Sequence, residues 1–576
     1  MPPDRSPILH SQEIVKEKKP PACDSGKAER VLCHPTTDGT PCPRCLEEGN
    51  IYATNPVARV ARRRTPTPDL GTVSAVNPAA SGLSTGPNSA SEELQAFPLC
   101  STLNSNSLPF RQHLNLPPDL VHHLFECFTH LPHQSHPILR RDVIRDALCS
   151  VSWEIHLLPP QQKVLAHCII AISASISFDH AIIGHGSQPA SLEDRSVFAL
   201  GADLRDYGVR RAPVYRALCA EAVRLACEVG ILLEPSEDNA ASCYILQCLE
   251  DEKDGRSRPW AVGYISHVRT LFGSLADTTK YNTSIWSGYL LMEVLETTLR
   301  RQPALISHHD QLLITGRDPL ALHNLFLSIQ SMVQARKDQP FVPFAIMQPY
   351  CFHVVRLARE LYETITGDVA RRHPLDERAI TDFIASLNHL HAILALVFDH
   401  EEEIYPRDAL FYPTTQRGLQ MNLRSCAYIM TLSRAALLLG LHRELVRRAA
   451  PQSAPALENG VTAVDPWAAE RLALLQRQVH EMANITMTDI ARVLRFMPSP
   501  PHIPHVQRRN LITAWAEFCL EAADAAETVL PEHVATIETF SETLKLIGYS
   551  WPLPKGLIER LDAYVAPHPP TSSPGI

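Results

Sequence analysis

Pro159-Pro160-Gln161-Gln162-Lys163-Val164-Leu165-Ala166-His167-Cys168-Ile169-Ile170-Ala171-Ile172-Ser173-Ala174-Ser175-Ile176-Ser177 is the stretch whose reading decides the fold. Proline is accepted in the first turn of a helix, where its missing N–H would have no partner anyway. Val164, Leu165, Cys168, Ile169, Ile172 and Ile176 then recur at the helical period and share one face. Serines interrupt the apolar run within a turn of Ile172, well short of the ~18 apolar residues that suggest a membrane span. The pattern predicts a helix laid against a protein core.

The same period recurs along the chain. Over 212–230, Pro213 sits near the start, Leu218, Ala222, Leu225 and Val229 form a stripe, and Gly230 ends it. Over 380–398, Ile380, Ile384, Leu387, Leu390, Leu394 and Phe398 do the same. Similar patterns occupy 286–299, 352–364, 420–440, 467–496 and 510–528. No segment pairs β-branched alternation with hairpin turns, and no repeat of fixed period is visible. With 23 Gly and 47 Pro, the composition suits helices punctuated by loops. The fold class expected is all-α, with one large helical domain over 109–565 and a short tail over 566–576.

Three zones precede that domain: a polar lead (1–20), a cysteine-bearing module (21–55) and a linker (56–108) rich in Ser, Thr, Pro, Asn and Ala after its opening arginines. Such linker composition cannot bury a core and is expected to be disordered. The chain carries a formal net charge of −9 over 576 residues. Its distribution is uneven: residues 1–64 hold 11 Lys and Arg against 8 Asp and Glu, and the remainder holds 42 against 54. A basic head on an acidic body fits a small DNA-binding module on a protein-binding body, and a basic disordered arm fits it too. Met1 to Pro20 lacks the apolar core of a secretory signal, so a reducing compartment is expected. Clustered cysteines there read as metal ligands and scattered ones as small core residues.

Four of the 15 cysteines cluster, at Cys23, Cys33, Cys42 and Cys45. Two halves share one spacing. Cys23 is followed after two residues by Gly26 and after six more by Cys33; Cys42 is followed by Cys45 and Tyr52 at the same intervals. Each half would read Cys-x2-Cys-x6-Cys if Gly26 and Tyr52 were cysteine. This closely resembles the fungal Zn(2)-Cys(6) binuclear cluster of transcription factors. Lys27 and Arg30 after the second ligand position, Pro41 before the fourth cysteine, and the tail of Arg59, Arg62, Arg63 and Arg64 complete the likeness.

The resemblance implies up to two zinc ions, with Cys23 and Cys42 bridging both, Cys33 serving one and Cys45 the other. Gly26 and Tyr52 replace a ligand of each, leaving three sulfurs per ion, whereas structural zinc sites are normally closed tetrahedra. It also implies contact with CGG-type double-stranded DNA, Lys27 and Arg30 reaching bases or phosphates and Arg59 and Arg62 to Arg64 adding phosphate contacts. Those arginines equally suit a nuclear import signal. Glu29 and Leu32 stand where the family carries basic residues, which weakens attraction to DNA. Family members often dimerise through a coiled coil after the cluster; 65–108 shows no heptads, so a dimer lacks support there.

The body resembles the fungal transcription factor regulatory domain over about half the chain, most in Ser152-Trp153-Glu154-Ile155 through Gly184 and in Gly201-Ala202-Asp203-Leu204-Arg205 through Gly230-Ile231. Glu237 to Ala241 precede another helix in that likeness. It implies a nuclear regulatory module for effectors or transcription co-regulators, with no membrane and no catalysis. The alternative is a relative whose cluster has degenerated and which acts only through protein partners. Enzyme signatures are weak. Glu250-Asp251-Glu252-Lys253-Asp254 reads as an exposed acidic loop rather than a magnesium site. Gly184-His185-Gly186-Ser187 lacks the spacing of a nucleophile elbow. None of the histidines, His122-His123 and His502 to His505 included, stands in a His-Glu-x-x-His arrangement. Trp153, Trp260 and Trp286 are expected in the core.

Overall fold

The computed structural model describes residues 116–567 except 195, 200, 251–257, 275–282, 316–317, 336–342, 405–413, 451–465, 496–505, 527–529 and 555. Among the described residues there is no strand. Sixteen helices of eight or more residues follow one another, confirming the all-α class. They are α1 (Pro118–Phe128), α2 (Arg141–Ser150), α3 (Pro160–Ser173), α4 (Arg205–Val229), α5 (Glu237–Leu249), α6 (Pro259–Ser274), α7 (Thr283–Arg300) and α8 (His308–Thr315). After them come α9 (Leu322–Ala335), α10 (Pro343–Glu360), α11 (Glu377–Ile404), α12 (Thr414–Ala449), α13 (Pro466–Arg495), α14 (Val506–Ala525), α15 (Pro531–Ile547) and α16 (Leu557–Val565).

Helix α3 begins at Pro160, as its prolines predict, but it is buried all round from Val164 to Ser173 rather than on one stripe. Its neighbours explain this: α1, α4 and α5 pack on it from different sides. Helices wrapped on every side need no polar face. Even His167 is enclosed, and burial lowers its pKa to about 4. The serines do the terminating. Ser173 Oγ and Ser175 Oγ donate to the Ile169 and Ile172 carbonyls, both at 2.7 Å, competing with the backbone ladder.

Helix α4 starts at Arg205, well before Pro213, the proline near its expected start, and α10, which starts at Pro343, also holds an internal proline, Pro349. In α4 the extra turns are held by tertiary contact. Gly208 N–H donates to the Gly548 carbonyl at 3.0 Å, so its first turn is anchored on another segment. The far end matches expectation: Gly230 adopts φ 69°, a left-handed conformation that glycine accepts at no steric cost. Glu237 to Ala241 do not precede a helix but open α5, whose Ser236 cap accepts from Asn239 N–H at 3.1 Å.

The second half is organised on α12, which packs against α7, α10, α11 and α13. By length and composition, 377–399 in α11 and 423–449 in α12 could cross a membrane, longer apolar segments than the sequence reading allowed. The α12 segment is 78% buried inside the protein, as a central bundle helix must be, and the α11 segment 44%. A buried ion pair ties the halves together. Arg258, preceding α6, meets Glu293 of α7 through two parallel contacts of 3.2 and 2.6 Å, with side chains 4% and 1% exposed.

Most of the scattered cysteines among the described residues behave as core residues, but Cys219 is half-buried and Cys149 and Cys227 are exposed, against expectation. Cys127, Cys168, Cys243, Cys248, Cys351, Cys426 and Cys519 are buried. Desolvation pushes the Cys243, Cys426 and Cys519 thiols up to about 12. Trp260 is buried as expected, and Trp153 is half-buried with its ring edge against His122 at 4.6 Å. The side chain of Trp286 lies outside the described residues.

Candidate functional site

Cys23, Cys33, Cys42, Cys45, Lys27, Arg30, Arg59, Arg62, Arg63 and Arg64 all lie outside the described residues, as do the 21–55 module and the 56–108 linker. The structure brings into view instead a charged region of the helical body that sequence reading missed.

Helix α7 ends there. Its last turn carries Glu296, Leu299 and Arg300, spaced to share one face. Arg300 Nε lies 2.9 Å from Glu296 Oε2, and the two side chains are 15% and 3% exposed. Arg301 follows with φ 53°, a conformation rare outside glycine. Gln302 N–H closes the end by donating to the Thr297 carbonyl at 3.2 Å. That bond is the six-to-one closure of a helix end whose left-handed position usually belongs to glycine.

One wall of an open cleft of about 540 Å³ is this α7 face. Helix α14 gives a second wall through Arg509, Asn510, Thr513, Ala514 and Glu517, again one helical face. Arg443 of α12 and Pro552-Leu553-Pro554 complete it. Arg509 packs its guanidinium carbon 5.5 Å from the Trp551 ring centroid, and its Nε donates to Asn510 Oδ1 at 3.2 Å. Leu299, Ala514 and Leu553 supply the apolar surface.

Next to Arg443 in sequence, but turned to the buried side of α12, lies the centre of a second charged cluster. Glu444 is buried, with a side chain 1% exposed, and meets Arg371, Arg447 and Arg448. Arg447 Nη2 is 2.7 Å from Glu444 Oε1, and Arg448 Nε 2.9 Å from the same oxygen. Burial resists ionisation of Glu444, but hydrogen bonds from Arg447, Arg371 and Arg448 outweigh it and hold the carboxyl below its usual range. Glu444 accepts from all three arginines at once, and this group of charges reaches Arg301 just past the end of α7. Arg301 feels it: partial desolvation first, then Arg371 and Arg447, pull its guanidinium below the ordinary arginine range against Glu444 and Asp368. The sequence holds the pairs Arg300-Arg301 and Arg447-Arg448 at the ends of α7 and α12, but nothing in it brings the two together.

The other flagged motifs resolve as structural. Arg210 clamps the 184–187 turn, donating to the His185 and Ser187 carbonyls at 3.0 and 2.8 Å. His123 bonds Ser177 Oγ at 2.9 Å, and burial lowers its pKa. Glu250 is not exposed: burial raises its carboxyl to about 7 against the pull of Arg258 and Arg300. Asp251 to Asp254, His502 and His505 lie outside the described residues. Among the described residues no group of three or more His, Cys, Asp or Glu could hold a metal ion.

Comparison with known proteins gave no match to any family model, curated protein or solved structure.

Proposed function

We propose that the chain is a transcription regulator of the fungal zinc-cluster class, reading DNA with its N-terminal module and regulated through its helical body. The single observation behind this reading is the repeated spacing at Cys23–Cys33 and Cys42–Tyr52. Four isolated cysteines would carry little weight; two halves in the same register, each followed by the expected basic or proline neighbours, carry more. The all-α body, without a strand among the described residues, is compatible with the regulatory domain that the resemblance implies.

The donor set constrains the metal. Four thiolates make one complete tetrahedral zinc site, whereas sharing them between two ions leaves each with three sulfurs. Metal binding supplies most of the folding free energy of so small a module, so its occupancy decides whether there is a DNA-reading surface. Bound zinc would fix the loop that carries Lys27 and Arg30. The second reading, a co-regulator acting only through proteins in the nucleus, is favoured by Gly26, Tyr52 and Glu29, which remove two ligands and add a charge that phosphate repels.

Native mass spectrometry of the full chain, purified with zinc, separates the readings. The regulator reading expects one or two ions, lost on Cys42→Ser, and two in the double change Gly26→Cys with Tyr52→Cys. No bound zinc in the wild-type chain leaves the co-regulator reading.

A further inference from the structure

We propose that the cleft between α7, α12 and α14 binds an organic anion, a carboxylate or phosphate ester on an apolar body, held by Arg443 and Arg509 over Leu299, Ala514 and Leu553. The proposal stands on the helical body and does not depend on the zinc or DNA reading.

Size comes first. A volume of about 540 Å³ falls within the ~300–1,000 Å³ usual for small-ligand pockets. Charge comes next. Three arginines and two glutamates line the cleft; Arg300 and Glu296 neutralise each other, which leaves Arg443 and Arg509 against Glu517. Arginine stays charged in any protein environment and presents a planar fork that matches carboxylate or phosphate oxygens. Helix α14 begins at Val506, so Arg509 and Asn510 sit close to its N-terminal end, where the helix dipole favours negative charge. The C-terminal end of α7 works against an anion, and Arg443 and Arg509 must outweigh it.

The apolar half of the lining excludes a bare inorganic ion as the best fit. Leu299, Ala514, Leu553 and the flanking prolines Pro552 and Pro554 offer a hydrocarbon or ring surface beside the guanidinium groups. A ligand with one anionic end and one apolar end satisfies both halves.

Isothermal titration of the full chain with phenyl phosphate, benzoate and the neutral benzyl alcohol tests this. At least one of the two anions is expected to bind with one-to-one stoichiometry, more tightly than benzyl alcohol and more weakly as salt rises. Preference between the two anions assigns phosphate or carboxylate chemistry. Arg443 is exposed, so Arg443→Gln should fold normally and lose tenfold or more in affinity. Arg378→Gln, whose side chain is 93% exposed on α11 and does not line the cleft, should bind as the wild type. Neither anion binding above benzyl alcohol overturns the proposal, as does unchanged affinity in Arg443→Gln or an equal loss in Arg378→Gln.

Discussion

The guanidinium carbon of Arg211 lies 4.3 Å from the ring centroid of Tyr549, a residue 338 positions further along the chain. Arg211 has no exposed surface. It donates to the carbonyls of Ser175 at 2.5 Å, Ser177 at 2.7 Å and Tyr549. Those of Ser175 and Ser177 lie just past the end of α3, where helix carbonyls lack partners and the dipole is negative. One side chain therefore fastens the end of the central helix α3 to the C-terminal segment.

Arg211→Leu is expected to destabilise the body by about 3–5 kcal/mol, since three buried carbonyls lose their donor together. Arg211→Lys should recover part of it, because an ammonium has three protons but no planar fork. Chemical unfolding followed by tryptophan fluorescence measures both. A loss under about 1 kcal/mol would mean that water replaces the guanidinium and that the link is dispensable.

Gly208 offers a steric test of the same junction. A Cβ placed there would sit 2.2 Å from the Gly548 carbonyl oxygen and 2.8 Å from the Trp551 backbone. Neither neighbour is the far end of a flexible side chain, so the backbone would have to move. Gly208→Ala should cost roughly 3 kcal/mol or more, despite alanine's higher helix propensity. Thermal unfolding of the variant settles it, and a rise in midpoint would contradict the packing described.

Much of this body was legible in the sequence and some was not. The Val164 to Ile172 period, the Pro160 start and the Gly230 stop all follow from local chemistry. The start of α4 at Arg205 does not, because Pro213 is the better local signal and the contact of Gly208 with Gly548 is long-range. The cleft was also illegible: Arg300, Arg443 and Arg509 are far apart in sequence and become neighbours only through helix packing. The cysteine module is read from the sequence alone, because its residues lie outside those the structure describes.

Asp489 predicts an unusual pH response. Burial raises its carboxyl to about 6, against the pull of Arg434 at 3.7 Å and of Arg492, with His391 also 3.7 Å away. Its folded pKa lies above the ordinary value of 3.8, so its contribution to stability is full below that value and is lost as pH rises through about 6. Asp489→Asn should thus be more stable than wild type at pH 7, by about 2 kcal/mol, with the gain vanishing near pH 4. Unfolding curves at both pH values check the sign.

Glu444 predicts the opposite trend. Its folded pKa lies below the ordinary 4.5, so its contribution is present above that value and fades as pH falls through the folded pKa. Glu444→Gln leaves Arg371, Arg447 and Arg448 without their shared anion and should cost about 3–5 kcal/mol at pH 7. The difference from wild type should shrink in acid. A constant difference between pH 7 and pH 3 would contradict the assignment.

The most direct test of the regulator reading is fluorescence anisotropy of the full, zinc-loaded chain on a duplex carrying CGG triplets, set against a scrambled duplex over a salt series. The account predicts binding at least tenfold tighter to the CGG duplex, weakening as salt rises and abolished by Cys42→Ser. Equal affinity for the two duplexes, or binding unchanged by Cys42→Ser, would contradict it.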